Sequence, residues 1–509
     1  MRFADGAWHR LHPATPLLRG GLAFVAIAGF VIANLRERLV DFFFRVPQFG
    51  DDPIDEIVNH GFVGWALLGV LGVLLAIIAV FTVSWRMHTF RITDDLVEVR
   101  SGILLRTHRR ARLDRIQGVS ISRNLLARIF GAAKLDITVA GNDANVQLAY
   151  LGSAATDELR REILTLASGA RREATQPVAL DQDGAEHPDA PVSTGARLGG
   201  LVNRRVGEFL APELDPDAAP PESVVRIPLL RLVGSVVLTG FTVVLVVFII
   251  AIAVGLSQGE FWPVLVVLPV ILGGGSFYIR RVSRQLRYTI AGTPDGVRVG
   301  YGLLSTNNDT LPPGRIHAIG VDQPLLWRPF GWWRVRVNTA GHASRDRQNR
   351  ENTTVLPVGN GADVRAVLGL ILPSFTDAEA QGIIESGMVS RGGDDGFTNA
   401  PRRAAWLRPF SWRRTGFREH GSIVLLRRGV LSRDLVVVPL ARLQSVALEQ
   451  GPVHRMLRLA SVRMQTVSGP VAAALEVVPA DTALALYRRT AADAVEWASV
   501  DTSHHWGAS

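Results

Sequence analysis

The 509-residue chain has no cysteine and a single lysine, Lys134, so its basic side chains are nearly all arginine. Without cysteine it can form neither a disulfide framework nor a thiolate site for zinc or redox chemistry. It also has no Walker loop, no G-x-S-x-G and no H-E-x-x-H sequence, which would indicate nucleotide binding, a serine nucleophile or a zinc protease. We therefore expect a protein that is not an enzyme and that holds neither a metal nor a cofactor.

Long hydrophobic runs are what the chain does have, in a composition that is 48% hydrophobic. There are four of them, at Leu22–Ala33, Phe62–Trp85, Leu232–Leu256 and Phe261–Ile279. The second and third contain no charged residue and exceed the ~20 residues that cross a bilayer as a helix. The runs pair into two predicted transmembrane helical hairpins, at residues 17–85 and 224–279.

Arginine is distributed unevenly around the second hairpin. The connection Ser257–Glu260 contains no basic residue, whereas both flanks do, at Arg226, Arg231, Arg280, Arg281, Arg284 and Arg287. Because basic residues favour the cytoplasmic side, this pattern predicts cytoplasmic flanks. The net charge of +9 suits an anionic inner leaflet, and the absence of a recognition motif for nucleic acid predicts no such partner.

One pattern of residues occurs three times. Arg115, Arg315 and Arg442 anchor the three copies, which align without a gap at offsets of 200 and 327 from the first. Thirteen residues before each anchor is a glycine, and five residues before that glycine is a valine: Gly102, Gly302, Gly429, Val97, Val297 and Val424. A match of this length indicates a true internal repeat.

Each copy predicts several strands followed by a helix. The stretch from Leu96 to Arg106 alternates around a Ser-Gly turn, which is typical of a hairpin, and "RIQGVSI" predicts a strand with a bulge at Gln117–Gly118. Asp157, Asp363 and Asp481 precede apolar stretches with helical spacing, where an aspartate stabilises a helix start. The unit is thus a small barrel-like antiparallel sheet with a C-terminal helix.

The first copy, "FRITDDLVEVRSGILLRTHRRARLDRIQGVSISRNLLARIFGAAKLDITVAG", follows a membrane hairpin. It resembles the bacterial pleckstrin-homology-like (PH-like) domain of the YdbS/YdbT membrane protein family. The resemblance implies a multi-domain α+β membrane protein of the bacterial plasma membrane, with two transmembrane hairpins and three cytoplasmic PH-like domains, each a bent antiparallel sheet with a C-terminal helix. It also implies a partner, a smaller membrane protein with one PH-like domain or a second copy of the chain.

The predicted organisation follows from the runs, the repeat and two polar breaks. It consists of a tail at 1–16, hairpin 1 at 17–85, PH-like domain 1 at 86–170, a flexible linker at 171–223, hairpin 2 at 224–279, PH-like domain 2 at 280–376, a linker at 377–401, PH-like domain 3 at 402–495 and a tail at 496–509. The third copy departs from the family pattern because no hairpin precedes it.

Two segments are candidate membrane-binding sites. The first is "RTHRRAR" in copy one, where Arg106, His108, Arg109, Arg110 and Arg112 could hold an anionic phospholipid headgroup. The second is an interfacial segment in which Trp406, Phe410 and Trp412 alternate with basic residues, Arg408, Arg413 and Arg414. Positive-inside bias alone also explains the first, and the second also fits the lead-in strand of the third domain.

The positions shared by the copies are apolar or turn-forming rather than reactive. We therefore expect an integral-membrane, non-catalytic scaffold whose PH-like domains pack on each other and on a membrane partner. The alternative is a protein that binds or senses anionic lipid at the inner leaflet. Arg115, Arg315 and Arg442 are predicted to be structural strand residues that pair within their own units.

Overall fold

The computed structural model describes residues 5–12, 15, 18, 79, 82–83, 85–101, 107–139, 145–167, 225–258, 262–293, 296–303, 305–312, 314–340, 353–372 and 377–501. Most of predicted hairpin 1, the whole linker 171–223 and most of the C-terminal tail lie outside these residues.

The described residues of the first unit form seven strands and two helices. They are β1 (His9–Arg10), β2 (Thr89–Ile92), β3 (Leu96–Ser101), β4 (Thr107–Arg112), β5 (Ile116–Arg123), α1 (Leu125–Ile129), β6 (Ala132–Val139), β7 (Val146–Gly152) and α2 (Ser153–Ala167). A 3-10 turn, Leu113–Arg115, separates the first four strands from the last three. The predicted sheet with a C-terminal helix is present in the first unit.

The second unit repeats this plan and contains the apolar helices. They are β8 (Val225–Arg226), α3 (Leu229–Val237), α4 (Gly240–Ser257), α5 (Trp262–Gln285), β9 (Thr289–Thr293), β10 (Gly296–Tyr301), β11 (Thr306–Leu311), β12 (Ile316–Gln323), β13 (Trp333–Thr339), β14 (Thr354–Gly359) and α6 (Gly361–Ile371). A 3-10 helix, Leu325–Phe330, stands where the first unit has α1.

The third unit follows helix α7 (Ala378–Val389). It comprises β15 (Thr398–Asn399), β16 (Gly416–His420), β17 (Ile423–Arg428), β18 (Arg433–Pro439), β19 (Ser445–Glu449), α8 (Pro452–Met456), β20 (Leu459–Gln465), β21 (Ala474–Pro479) and α9 (Ala480–Val500). The predicted linker at 377–401 therefore contains a 12-residue helix. Its apolar residues Ile383, Ile384 and Met388 pack into a core with Leu425 and Leu435. In the sequence, the polar Gly-Asp stretch that follows this helix made the whole segment resemble a linker.

The sheets cross the boundaries between units. Their strand orders are β1-β2-β3-β4, β7-β6-β5-β11-β10-β9-β8, β14-β13-β12-β18-β17-β16-β15 and β19-β20-β21. Each unit thus contributes a four-stranded and a three-stranded half, and the three-stranded half of one unit joins the four-stranded half of the next. Sequence patterns located the units but did not indicate that neighbouring units share sheets.

The predicted bulge is confirmed. The pairing of β5 with β6 shifts register between Ile116 and Gly118, and the pairing of β12 with β13 shifts at the equivalent place, between Ile316 and Ala318. A side chain at Gly118 would bring its Cβ within 3.2 Å of the Thr310 carbonyl oxygen in β11. The bulge therefore lies where the strand of the next unit approaches closely.

The apolar helices dock onto the second unit. Leu232, Trp327 and Val358 form a buried cluster at the base of α3, and the Trp327 indole donates to the Leu238 carbonyl at 2.9 Å. At that point the predicted span 232–256 breaks, because α3 and α4 meet at 56°. Among the described residues no single helix is long and apolar enough to cross a membrane, and only this bent pair has the length and composition to do so.

Candidate functional site

The two places where units share a sheet have the same register. In the first junction, β5 with β11, Val119 lies opposite Thr310. In the second junction, β12 with β18, Ile319 lies opposite Val437. Val119 and Ile319 are equivalent positions of the repeat, and so are Thr310 and Val437, each five residues before its anchor arginine. The chain therefore makes one docking contact twice.

An arginine outside the strands also makes a similar contact at both junctions, with acceptors one repeat position apart. Arg128 donates to the Leu303 carbonyl at 3.0 Å, and its equivalent Arg328 donates to the Leu431 carbonyl at 3.3 Å. In both cases the acceptor lies in the turn between the last two strands of the next unit's four-stranded half. The third equivalent is Arg455 in α8. Sequence reasoning missed this trio, although each member stands thirteen residues after its anchor.

The anchor arginines lie at crossings between half-sheets rather than inside strands. Arg115 and Arg442 end 3-10 turns, and Arg442 pairs with Asp501 beyond the C-terminus of α9, an acid of its own unit as expected. Arg315 differs from the prediction, since it donates to the Asp114 carbonyl of the first unit at 2.9 Å. Burial, together with the charge of Arg442, lowers the pKa of Arg315.

Four of the predicted headgroup residues lie on β4, at the outer edge of the first four-stranded sheet; Arg106 is outside the described residues. Their basic groups meet acids and carbonyls of the same unit. The buried Glu98 carboxylate accepts from Arg91 Nη2 at 2.5 Å, lies 2.8 Å from Arg110 Nε and 3.6 Å from His108 Nε2. Burial opposes ionisation of Glu98, but the hydrogen bond from Arg91 and these charges hold its pKa below the ordinary value.

The remaining two residues of this group point elsewhere. Arg109 donates to the Asn145 carbonyl at 3.1 Å, and Arg112 pairs with Asp114 at 2.9 Å. Successive side chains of a strand point to opposite faces, so the group does not converge on one pocket. The structure thus places these residues on one edge strand, and headgroup binding there stays a prediction.

The predicted interfacial segment divides into exposed and buried parts. Trp406 and Phe410 are 86% and 84% exposed, while Trp412 packs on a small core with Leu459 and Val477 and carries Arg413 over its ring at 5.4 Å. Arg408 pairs with Glu476. This segment forms two 3-10 turns, Arg402–Trp406 and Trp412–Arg414, before β16 rather than a strand, and its binding to a membrane interface stays a prediction.

Arg414 of that segment is a structural residue. It is buried and donates to the carbonyls of Gly387, Met388 and Ser390, where α7 ends. Burial and the nearby charge of Arg427 lower the pKa of Arg414 to about 9. Cations stabilise the carbonyl end of a helix, so this arginine fastens α7 to the third unit rather than to a membrane.

A cavity of about 480 Å³ lies where α5 meets the second unit, a site that sequence reasoning missed. Its lining is aromatic and basic: Ser235, Gly273, Ser276, Phe277, Arg281, Arg284, Gln285, Tyr288, Tyr301, Trp327, Arg334, Thr354 and Pro357. Arg281 stands over the Phe277 ring at 5.8 Å, and Arg334 pairs with Asp322 at 2.6 Å. The apolar run of α5 thus opens into a pocket that carries positive charge.

A buried acid lies beside this cavity, at the first junction. Tyr301 donates its hydroxyl to Asp309 at 3.0 Å, and Asp309 stands opposite Ser120 of the first unit. Burial raises the pKa of Asp309 to about 6, and the charge of Asp136 acts in the same direction. The first junction therefore contains a group that titrates near neutral pH.

Comparison with known proteins identifies the repeated unit. The Bacterial PH domain family model matches three times, over residues 41–167, 228–373 and 389–494. The chain is 22% identical over 391 residues to the UPF0699 transmembrane protein YdbT of Bacillus subtilis (strain 168), covering 72% of this chain and 70% of that protein. No solved structure matches. Since the matches cover most of the chain, including all three units, it belongs to the Bacterial PH domain family.

Proposed function

We propose that this chain is an integral-membrane, non-catalytic scaffold whose cytoplasmic PH-like units dock edge to edge and hold a membrane partner by the same kind of contact. The observation that carries this proposal is the repeated docking contact, with one strand register and one arginine-to-carbonyl hydrogen bond at both junctions. Main-chain pairing along a sheet edge is a common means by which domains capture partners.

The repeat preserves this contact rather than any reactive group. The residues that recur are strand positions, a bulge and the contact arginines, whereas the polar residues of β4 do not recur and those of the cavity recur only in part, as Arg281 and Arg408 do. A function common to all three units is therefore one of assembly. The similarity to a transmembrane protein supports a membrane location.

The test is the composition of the protein after extraction in a mild detergent, measured by native mass spectrometry. We expect a stoichiometric complex of the 55.3-kDa chain with at least one further membrane polypeptide, either another copy or a different protein. A chain that is strictly monomeric and without a companion would contradict the scaffold.

Because the chain has no cysteine, its orientation is testable with Ser257→Cys and Ser432→Cys. An impermeant maleimide should label the first in intact cells and the second only after lysis.

Anionic-lipid binding is the second candidate function, and the cavity at the base of α5 is the observation that favours it. A pocket with an apolar approach and two arginines on α5, Arg281 and Arg284, suits an amphiphile with a negatively charged head. The experiment compares phosphatidylglycerol retained by the purified full chain. The double variant Arg281→Gln/Arg284→Gln should lose it, while Arg109→Ala/Arg110→Ala on β4 should not.

Two controls make this comparison decisive. Arg488→Gln changes an exposed arginine on α9 and should leave lipid retention unchanged. Competition with inorganic phosphate separates recognition of a headgroup alone from recognition of a whole lipid. Loss of lipid in the β4 variant and not in the cavity variant would instead assign binding to the "RTHRRAR" segment.

A further inference from the structure

Each unit has two edge strands that can pair with another unit, one in the position of β4 and one in the position of β5. Among the described residues, two strands of each kind pair at the two junctions. The strands in the position of β4 are β4, β11 and β18, and those in the position of β5 are β5, β12 and β19. Within the described part of the chain β4 pairs only with β3, and β19 pairs only with β20. One edge of each kind therefore remains, at opposite ends of the row of units.

The edge at β19 keeps the apolar residues of a docked strand. Leu448 is equivalent to Ile121 and Val321, which are 2% and 0% exposed and each lie opposite a strand residue of the next unit. Leu448 itself is 37% exposed. Among the three equivalent positions, the apolar residue is exposed only in the third unit, where the described residues place no strand of another unit beside it, which is the pattern of an interface without its partner.

The arginines that make contacts at the internal junctions also have equivalents at both ends of the row of units. Arg455 is the equivalent of Arg128 and Arg328, which bind a carbonyl of the next unit. Arg115 is the equivalent of Arg315, which binds the Asp114 carbonyl of the preceding unit. Among the described residues, neither the Arg455 nor the Arg115 side chain meets such an acceptor, and both are exposed. The two ends therefore carry arginines of two different contacts. Arg455 belongs to the kind made at both junctions. Arg115 belongs to the kind that Arg315 makes at the first junction, whereas Arg442 at the second junction pairs with Asp501.

We propose that β19 of one copy of this chain pairs antiparallel with β4 of a second copy, in the register of the two internal junctions. This inference rests on the proposed scaffold function and names its partner. The repeat places Val446 opposite Arg110 and Leu448 opposite His108. It also brings Arg115 of the second copy to the Ala441 carbonyl.

A second copy of the chain fits the β19 edge because it offers β4, an edge strand in the matching position of the unit, and because the charge of β4 complements that of β19. Its β4 occupies the place in the unit that β11 and β18 occupy at the internal junctions. Glu449 on β19 is a diagonal neighbour of Arg109 in this register, and opposite charges at such positions attract. The charged β4 edge discourages pairing with unrelated strands, as charged edges do in natural sheets. A contact between unlike surfaces builds a ring or a row of copies in the membrane plane.

Cross-linking of the full chain in membranes tests this register, because the natural sequence has no cysteine. Two differently tagged copies are co-expressed, one with Val446→Cys and the other with Arg110→Cys, and oxidised mildly. A second pair, Leu448→Cys with His108→Cys, probes the same register. The matched control is Ala447→Cys with Arg110→Cys, in which the two side chains point to opposite faces of the sheet. We expect both test pairs to cross-link at least about tenfold more than the control.

A further variant tests the arginine contact without touching the strands. Arg455→Gln should lower the cross-linked fraction several-fold and leave the melting temperature of the uncross-linked chain unchanged. Equal cross-linking of test and control pairs, or none in either test pair, overturns the proposal. A complex found by mass that contains only a different polypeptide also overturns it while the scaffold stands. A strict monomer overturns both.

Discussion

The first and second junctions share a register and differ in chemistry. At the first junction the residues of β11 opposite β5 are polar: Asn307 and Asp309 lie opposite serines and Asn308 lies opposite Ile121. At the second junction the residues of β18 opposite β12 are apolar: Leu435, Val436 and Val437. The strand backbone, the bulge and the contact arginine are common to both. Register is therefore set by the backbone and by these fixed contacts, and the side chains on the strands are left to set the strength of each junction.

The largest expected difference is at one equivalent position, Leu435 in the second junction and Asn308 in the first. Leu435 is fully buried against Val321 and α7, so Leu435→Ala should cost about 2–5 kcal/mol through lost burial and the cavity left behind. Asn308→Ala should cost less than about 1 kcal/mol, because the buried Asn308 Oδ1 has no hydrogen-bond partner among the described residues and its removal breaks no hydrogen bond. Hydrogen exchange of β18 and β11 amides in the full chain measures both.

The exposed Leu431 supplies the control for this comparison. It is 72% exposed, so Leu431→Ala should change the protection of β18 by no more than about 0.5 kcal/mol. Equal costs at Leu435 and Asn308 would show that the two junctions are held by their backbones alone, and the distinction between an apolar and a polar junction would fail.

The first junction should also weaken as pH rises. The pKa of Asp309 is about 6 in the folded chain against an ordinary value of 3.8, so the folded state binds more protons between about pH 4 and 6. The free energy of opening the junction therefore falls through that range. Asp309→Asn removes the charge, and it should stabilise β11 at pH 7 by roughly 3 kcal/mol, the equivalent of two pKa units.

Exchange of β11 amides at pH 5 and pH 7 measures this effect. The second junction is the internal reference, since Asp309→Asn should leave the pH dependence of β18 unchanged. Asp136 and Asp434 also have raised pKa values through burial, and comparing the variant with the natural chain cancels their contributions. A variant with the same pH dependence of β11 protection as the natural chain would show that Asp309 is ionised throughout.

Local sequence patterns predicted the repeated unit well. The anchor arginines fixed the copy number and Gln117–Gly118 marked the bulge. Asp363 and Asp481 lie in the first turns of their C-terminal helices as predicted, but Asp157 does not open its helix, because α2 begins at Ser153. These features depend on residues close in sequence. The pairing of β5 with β11 joins residues nearly two hundred positions apart, and alternation within a strand does not say which strand lies beside it.

The candidate sites were harder to predict for the same reason. The arginines of "RTHRRAR" suggested a binding patch, but Glu98 lies on the neighbouring strand and its burial only becomes evident in three dimensions. Arg414 was grouped with exposed residues, although it ends at the carbonyls of α7. The cavity at α5 is formed by residues from Ser235 to Pro357, none of which forms a local motif.

The smallest expected effect is at the contact arginines, which are common to both junctions. Arg128→Gln and Arg328→Gln should each cost about 0.5–1 kcal/mol, since each removes one hydrogen bond from a partly exposed arginine to a carbonyl. The cost of Arg128→Gln should appear in the protection of β11, and that of Arg328→Gln in β18. Arg455→Gln is the matched control, with no effect on either strand. If Arg328→Gln weakened β18 far more than Arg128→Gln weakened β11, the contact would not be equivalent at the two junctions, and register would depend on the strand side chains after all.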